Sequence, residues 1–227
     1  MKTVQMITYL SELAKNNDRK WYQEHTEANK AATTIFEQIV LELSQRIGEL
    51  EGAPIYPAPK ELIFRLSRDI RFSKDKQPYN TAFRAHISSY GKSFIPLGYY
   101  LCIAPDEQSY IAGGLYGSGW KEATDRVRDY ILDHGDEFES IINAKEFSKH
   151  FVVMGEKLKN VPRGYATDHP QAEYLKHKSW YAQSFIPEKT ILDTEQFYDR
   201  LLEKCRALKP FKDYLNKALN GYQIPKR

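Results

Sequence analysis

Near residue 61 the spacing of apolar side chains changes from three and four residues to two, which restricts the chain to folds where a helical layer is followed by a sheet. Upstream, Trp21, Ala28, Ala32, Ile35, Phe36, Ile39, Leu43 and Ile47 form one long helical stripe, broken by Gly48 and 52-GAPIYPAP-59. Before it, Met6, Ile7, Leu10, Leu13 and Ala14 predict a first helix that stops at 16-NND-18, with Asp18 capping the second. Downstream, Phe64, Leu66, Ile70 and Phe72 alternate with Arg65, Ser67, Asp69 and Arg71, the pattern of a strand buried on one face; Arg68 is out of phase. After 73-SKDKQPYN-80 the alternation resumes, Phe83, Ala85 and Ile87 opposing Arg84, His86 and Ser88.

The segments 98-GYYLCIA-104 and 109-SYIAGGLY-116, joined by 105-PDEQ-108, predict a hairpin that leads into a helix over 119–133 and a shorter one over 136–144. Between 146 and 190 apolar runs are short; 162-PRGYATDHP-170 reads as a loop and 179-SWYAQSF-185 as a brief strand. The tail from Thr194 to Asn220 is helical in pattern, with an interruption expected at Pro210. This order predicts an α+β fold with a central antiparallel sheet, helices packed on one face and helical N- and C-terminal sections. A length of 227 residues suits a single domain over 1–227.

The stretch 65-RLSRDIRFSKDKQPYNTAFRAH-86 carries six basic side chains, Arg65, Arg68, Arg71, Lys74, Lys76 and Arg84, against Asp69 and Asp75. The formal charge of the whole chain is only +3, so the basicity is local, which points to one positive site and away from a general polycation. If the two predicted strands pair, Arg65, Arg71, Arg84 and His86 share one polar face. Arginine forks bind carboxylate or phosphate in pairs of hydrogen bonds and stay charged when partly desolvated. In this reading Asp69 orients one arginine, and the loop 73–80 closes over the patch with Lys74, Lys76 and the Tyr79 hydroxyl. The alternative is a salt-bridged structural face, its arginines matched by acids such as Glu61 or Asp106.

The run R65-x-x-R68-D69-x-R71-F72-x-x-D75-K76-x-P78-Y79 resembles the signature of a bacterial and fungal family known as domain of unknown function 2461. The likeness extends to 16-NND-18 with Trp21, 98-GYYLCIAPD-106, 111-IAGGLY-116 and 155-GEKLKNVPRGYATDHPQAEYLKHKS-179, nearly the whole chain; Asn80 departs from the pattern. The resemblance implies no activity.

Other motifs are weaker. In 113-GGLYGSGWK-121, Trp120 stands where a phosphate loop needs lysine, so a strand-to-helix turn with Ser118 as cap is the better reading. In 163-RGYATDHP-170, Thr167 or Asp168 reads as a cap, while His169 and Arg163 become catalytic complements only if the loop reaches the sheet. A metal site from Asp69, Asp75 and His86 is disfavoured by the surrounding arginines, and no cofactor motif is present. Cys102 and Cys205 have neither metal nor disulfide spacing, and the N-terminus lacks a leader's apolar core, so a cytoplasmic protein is expected. No apolar run approaches the roughly 20 residues of a membrane span. The function expected is binding of a small phosphate- or carboxylate-bearing ligand on Arg65, Arg68, Asp69, Arg71, Lys76, Tyr79 and Arg84. Were a reaction to follow, His86 or His169 would move the proton. Single-stranded nucleic acid, stacked on Tyr90, Tyr99, Tyr100, Tyr110 and Tyr116, is the second partner class, and a purely structural or interaction domain the third. Turnover and oligomeric state are left open by the sequence.

Overall fold

The computed structural model describes residues 3–117 and 120–224. In chain order its elements are α1 (Thr3–Lys15), α2 (Arg19–Glu24), α3 (Thr26–Glu51), α4 (Pro59–Leu62), β1 (Phe83–Ile87), β2 (Tyr99–Ile103), β3 (Tyr110–Leu115) and α5 (Lys121–Asp133). There follow α6 (Gly135–Asn143), α7 (Lys145–Ser148), β4 (Val153–Met154), α8 (Ala172–Leu175), β5 (Trp180–Phe185), α9 (Glu188–Leu192) and α10 (Thr194–Ala218). The strands form one five-stranded antiparallel sheet in the order β1-β2-β3-β5-β4, so the fold is α+β with helical sections at both ends. Among the described residues no helix is long and apolar enough to cross a membrane.

The chain divides into two compact units. The first holds the residues up to Lys92, Tyr99–Ile111 and Phe185–Glu203; the second holds Ser93–Gly98, Ala112–Ser184 and the chain from Lys204 onward. In the first, α1 packs on α3, burying Met6, Leu10 and Leu13 together with Ala32, Phe36, Ile39 and Leu43. The Phe36 and Phe83 rings meet at 5.2 Å and so fasten α3 to β1. Each buried ring of this kind contributes about 1.5–3 kcal/mol. The expected cap forms: Asp18 Oδ1 accepts from the Trp21 N–H at 2.9 Å. The long second helix is interrupted at His25, which ends α2 and starts α3 while its ring stacks on Trp21 at 4.0 Å. Gly48 does not stop α3; the helix runs on to Gly52, whose φ of 70° supplies the left-handed C-cap.

The regular strand expected over 64–72 does not form. Only isolated bridges, Ile63↔Ala85 and Ser67↔Tyr79, tie this stretch down, and Phe72 ends 95% exposed at the tip of a loop. The predicted hairpin is present as β2 and β3, its turn containing Asp106 and Glu107 at φ 57° and 60°. In the second unit, Phe138, Phe147, Phe211 and Tyr214 build an aromatic core. Helix α10 continues through Pro210 without a break, because the buried residues on either side, Leu208 and Phe211, hold one stripe while proline removes a single hydrogen bond. The expected Ser118 cap lies outside the described residues.

Candidate functional site

The first unit shows how the basic stretch is distributed. The Ile63↔Ala85 bridge, with the Phe64 N–H donating to the Arg84 carbonyl at 2.8 Å, sets Phe64 opposite Arg84 and therefore Arg65 opposite Phe83. Arg65 and Arg84 thus leave the backbone toward opposite faces. The expected shared face assumed that Phe64 would join Phe83 in the core. Instead Phe64 packs on Tyr100, with ring centroids 6.0 Å apart, and carries the Arg84 guanidinium at 5.9 Å; a one-residue register difference reverses every side chain.

The remaining signature residues brace their own loop. Arg68 pairs with Asp75 at 2.5 Å and donates to the Gln77 carbonyl at 3.1 Å, while Lys76 Nζ donates to the Ile70 carbonyl at 3.2 Å. Arg71 closes on Asp69 with a fork of hydrogen bonds, 2.6 Å at its shortest, and the Arg71 guanidinium holds the Asp69 carboxyl below the usual carboxylate range. Tyr79 is clamped through its backbone: Asn17 donates to its carbonyl at 2.9 Å and accepts from its N–H at 3.1 Å. Its ring stacks on Tyr22 at 3.9 Å. These contacts tie 16-NND-18 to the arginine-rich run, two segments singled out in the sequence for separate reasons.

Beside this loop a cleft of about 440 Å³ opens in the first unit. One wall is the α3 edge with Asn29, Thr33 and Glu37 at four-residue steps; the other carries Lys60, Arg65 and Lys92. Among the described residues, the side chains of Thr33, Glu37, Lys60 and Arg65 make no hydrogen bond or ion pair, whereas Lys92 Nζ donates to the Lys60 carbonyl at 3.1 Å. Asn29 donates to the Tyr9 hydroxyl at 2.8 Å, and burial, with Tyr79 beside it, pushes the Tyr22 phenol up. Sequence reasoning missed Thr33, Glu37, Lys60 and Lys92. A polar residue every fourth position along the apolar stripe of α3 was the available sign.

The face bearing Arg84 differs. Rings follow one another as Phe64, Tyr100, Tyr110 and Phe185, with separations of 6.0, 6.2 and 6.3 Å. Arg84 Nε is buried without a partner, while its Nη2 donates to the Arg65 carbonyl at 3.4 Å. Burial pushes the Cys102 thiol up to about 11, which keeps it protonated and unreactive at neutral pH. His86 is only 4% exposed, and its Nδ1 lies 3.2 Å from the Gly91 carbonyl, so that nitrogen carries the proton. Desolvation lowers its pKa. The sign follows: the unfolded chain takes up a proton below about pH 6.5 and the folded one does so only at lower pH, so stability is full above that value and declines as pH falls through the gap. Urea midpoints should therefore drop between pH 7.5 and 5.5, and His86→Phe should flatten the decline. A profile identical in both proteins would contradict this.

In the second unit a cleft of about 740 Å³ collects Lys121, Arg128, Arg163, Lys178 and Tyr165. Its charges are largely matched inside the protein: Lys121 and Arg128 pair with Asp125 at 2.5 and 2.8 Å, Lys178 with Glu156 at 3.6 Å, and the Tyr165 hydroxyl donates to Asp129 at 2.7 Å. His169 has a local task, its Nδ1 accepting from the Gln171 N–H at 3.1 Å just before α8. The side-chain cap expected from Thr167 or Asp168 does not form: Gln171 is the N-cap of α8, and no side chain caps it. Among the described residues no group of three His, Cys, Asp or Glu side chains converges as metal ligands would.

Over residues 5–214 the sequence matches a family model described as Conserved hypothetical protein (DUF2461). No curated protein and no solved structure matches.

Proposed function

The chain belongs to the DUF2461 family, and from its geometry we propose that the first unit binds a small phosphate- or carboxylate-bearing ligand in the cleft of Lys60, Arg65 and Lys92. The observation that carries this reading is the Arg65 guanidinium, which lines a cavity and has no acidic partner among the described residues. Three cations lining one cleft repel one another, and an arriving anion relieves that repulsion while taking the paired hydrogen bonds of the Arg65 fork. The cleft volume of about 440 Å³ lies within the range of small-molecule sites. Arg68 and Asp75 keep the adjoining loop in place, and Arg71 is already occupied by Asp69. Two buried cysteines outside any disulfide suit a reducing compartment, and the cytoplasm is the setting we assign.

Thermal unfolding with added inorganic phosphate or malonate tests the reading, since a ligand that binds only the folded chain raises the midpoint. A ligand at about a hundred times its Kd adds roughly 2.7 kcal/mol. Arg65→Met should abolish the shift, and Arg71→Met should preserve it. Equal responses from the parent and Arg65→Met would refute the assignment.

The row of rings beside Arg84 supports a second reading, the binding of single-stranded nucleic acid by stacking. It is the weaker of the two, because among the described residues Arg84 is the only cation seated over a ring of that row. Retention of a short oligodeoxythymidine at low salt, lost on Tyr110→Ala, would favour it; no retention removes it.

A further inference from the structure

We propose that the ligand of this cleft is a phosphorylated polyol, a sugar phosphate in its simplest form; the inference rests on the anion reading and specifies it. Glu37 is the reason. It is half-buried, lines the same cavity as Lys60, Arg65 and Lys92, and pairs with none of them. A bare anion entering that space gains three cations but meets the Glu37 carboxylate, whose repulsion rises as water leaves. A ligand that presents an anionic group to one wall and hydrogen-bond donors to the other turns the same carboxylate into an acceptor, and hydrogen bonds to a charged group are the stronger kind.

Charge and length narrow the class. Three cations and one carboxylate leave an excess of two positive charges in the cleft, which a phosphate monoester, at about −1.5 to −2, neutralises. An amino acid zwitterion, neutral overall, leaves that excess standing. Asn29, Thr33 and Glu37 stand four residues apart along α3, so at 1.5 Å per residue the polar wall runs about 12 Å. That is longer than a phosphate ion and matches a hexose with its phosphate attached. The wall offers an amide, a hydroxyl and a carboxylate, groups that pair with sugar hydroxyls. Arg65 and Lys60 hold the phosphate, while Thr33 and Glu37 read the hydroxyls. Recognition of hydroxyls by half-buried polar groups discriminates against ligands that lack them, because those groups are then left unpaired.

Calorimetric titration of the full chain with inorganic phosphate and with glucose 6-phosphate tests this, using the parent, Glu37→Gln, Thr33→Val and Arg65→Met, each checked for folding by circular dichroism. The parent should bind glucose 6-phosphate at least about tenfold more tightly than phosphate. Glu37→Gln and Thr33→Val should shrink that preference, and Glu37→Gln should leave phosphate binding unchanged or tighter as the repulsion is relieved. Arg65→Met should lose both ligands. Equal affinity of the parent for the two ligands, or a preference untouched by Glu37→Gln, overturns the polyol assignment while leaving the anion site intact. Failure of both ligands to bind the parent overturns the anion site itself, and the polyol assignment with it.

Discussion

Replacing Arg128 by alanine is expected to destabilise the second unit by about 3–5 kcal/mol, the cost typical of removing one partner from a buried ionic network. Its side chain is 7% exposed, and all of its hydrogen-bonding edges are used: Nε donates to the Leu175 carbonyl at 3.0 Å, Nη2 to the His177 carbonyl at 2.8 Å and Nη1 to Asp125 at 2.8 Å. The guanidinium also lies 5.7 Å from the centre of the buried Trp180 ring. Alanine would leave two carbonyls without their donor, Asp125 with Lys121 alone and a void beside the indole, and these penalties reinforce one another. Lysine restores the charge but not the planar fork, so Arg128→Lys should recover only a minority of the loss. Urea unfolding followed by circular dichroism measures the loss. A loss below about 1 kcal/mol for Arg128→Ala would show that Arg128 is not the staple of α5 to the 175–180 segment.

Arg128 also marks where sequence reading stops. On α5 it sits next to Val127 in a charged run, 125-DRVRDY-130, beside the half-buried Arg126. Its partners are carbonyls about fifty residues away, and carbonyls leave no trace in a sequence. The apolar stripe of α3 was readable because helical period and burial have one cause, and Ile35, Phe36, Ile39 and Leu43 are all buried. The β1 face was readable for the same reason. Over 64–72 the alternation was real but its cause was different: Arg68, Asp69 and Arg71 are spaced for bonds within a loop, and period two arises there without a sheet partner. Register was the deciding unknown for the site. Phe64 had two hydrophobic destinations, Phe83 and Tyr100, and the Arg84 guanidinium over its ring accompanies the second. Charge imbalance pointed to the right neighbourhood and included Arg65, but the other half of the cleft comes from α3, whose polar positions look like an ordinary helix edge until the opposite wall is placed.

Gly155 should resist replacement: Gly155→Ala is expected to cost about 4 kcal/mol, from backbone strain and overpacking each worth 1–3. Its φ is 148°, a conformation that side chains rarely adopt, and a Cβ there would lie 2.0 Å from the Ser179 carbonyl oxygen and 3.1 Å from His177 Nδ1. The obstruction is main chain and cannot swing aside. Around it the backbone is fixed on both sides, by the Lys178 N–H donating to the Glu156 carbonyl at 2.7 Å and by the Val153↔Ala182 pair of β4 and β5. Relief must therefore come from parting these two segments, which would break the Lys178–Glu156 hydrogen bond between them. Gly164 supplies the comparison: its φ of 101° is also left-handed, yet a Cβ there meets nothing within 4 Å, so Gly164→Ala carries the strain alone. Thermal unfolding of the two variants should separate them by about 2 kcal/mol. Equal losses would mean that φ accounts for the whole penalty and that the approach to Ser179 is loose enough to admit a methyl group.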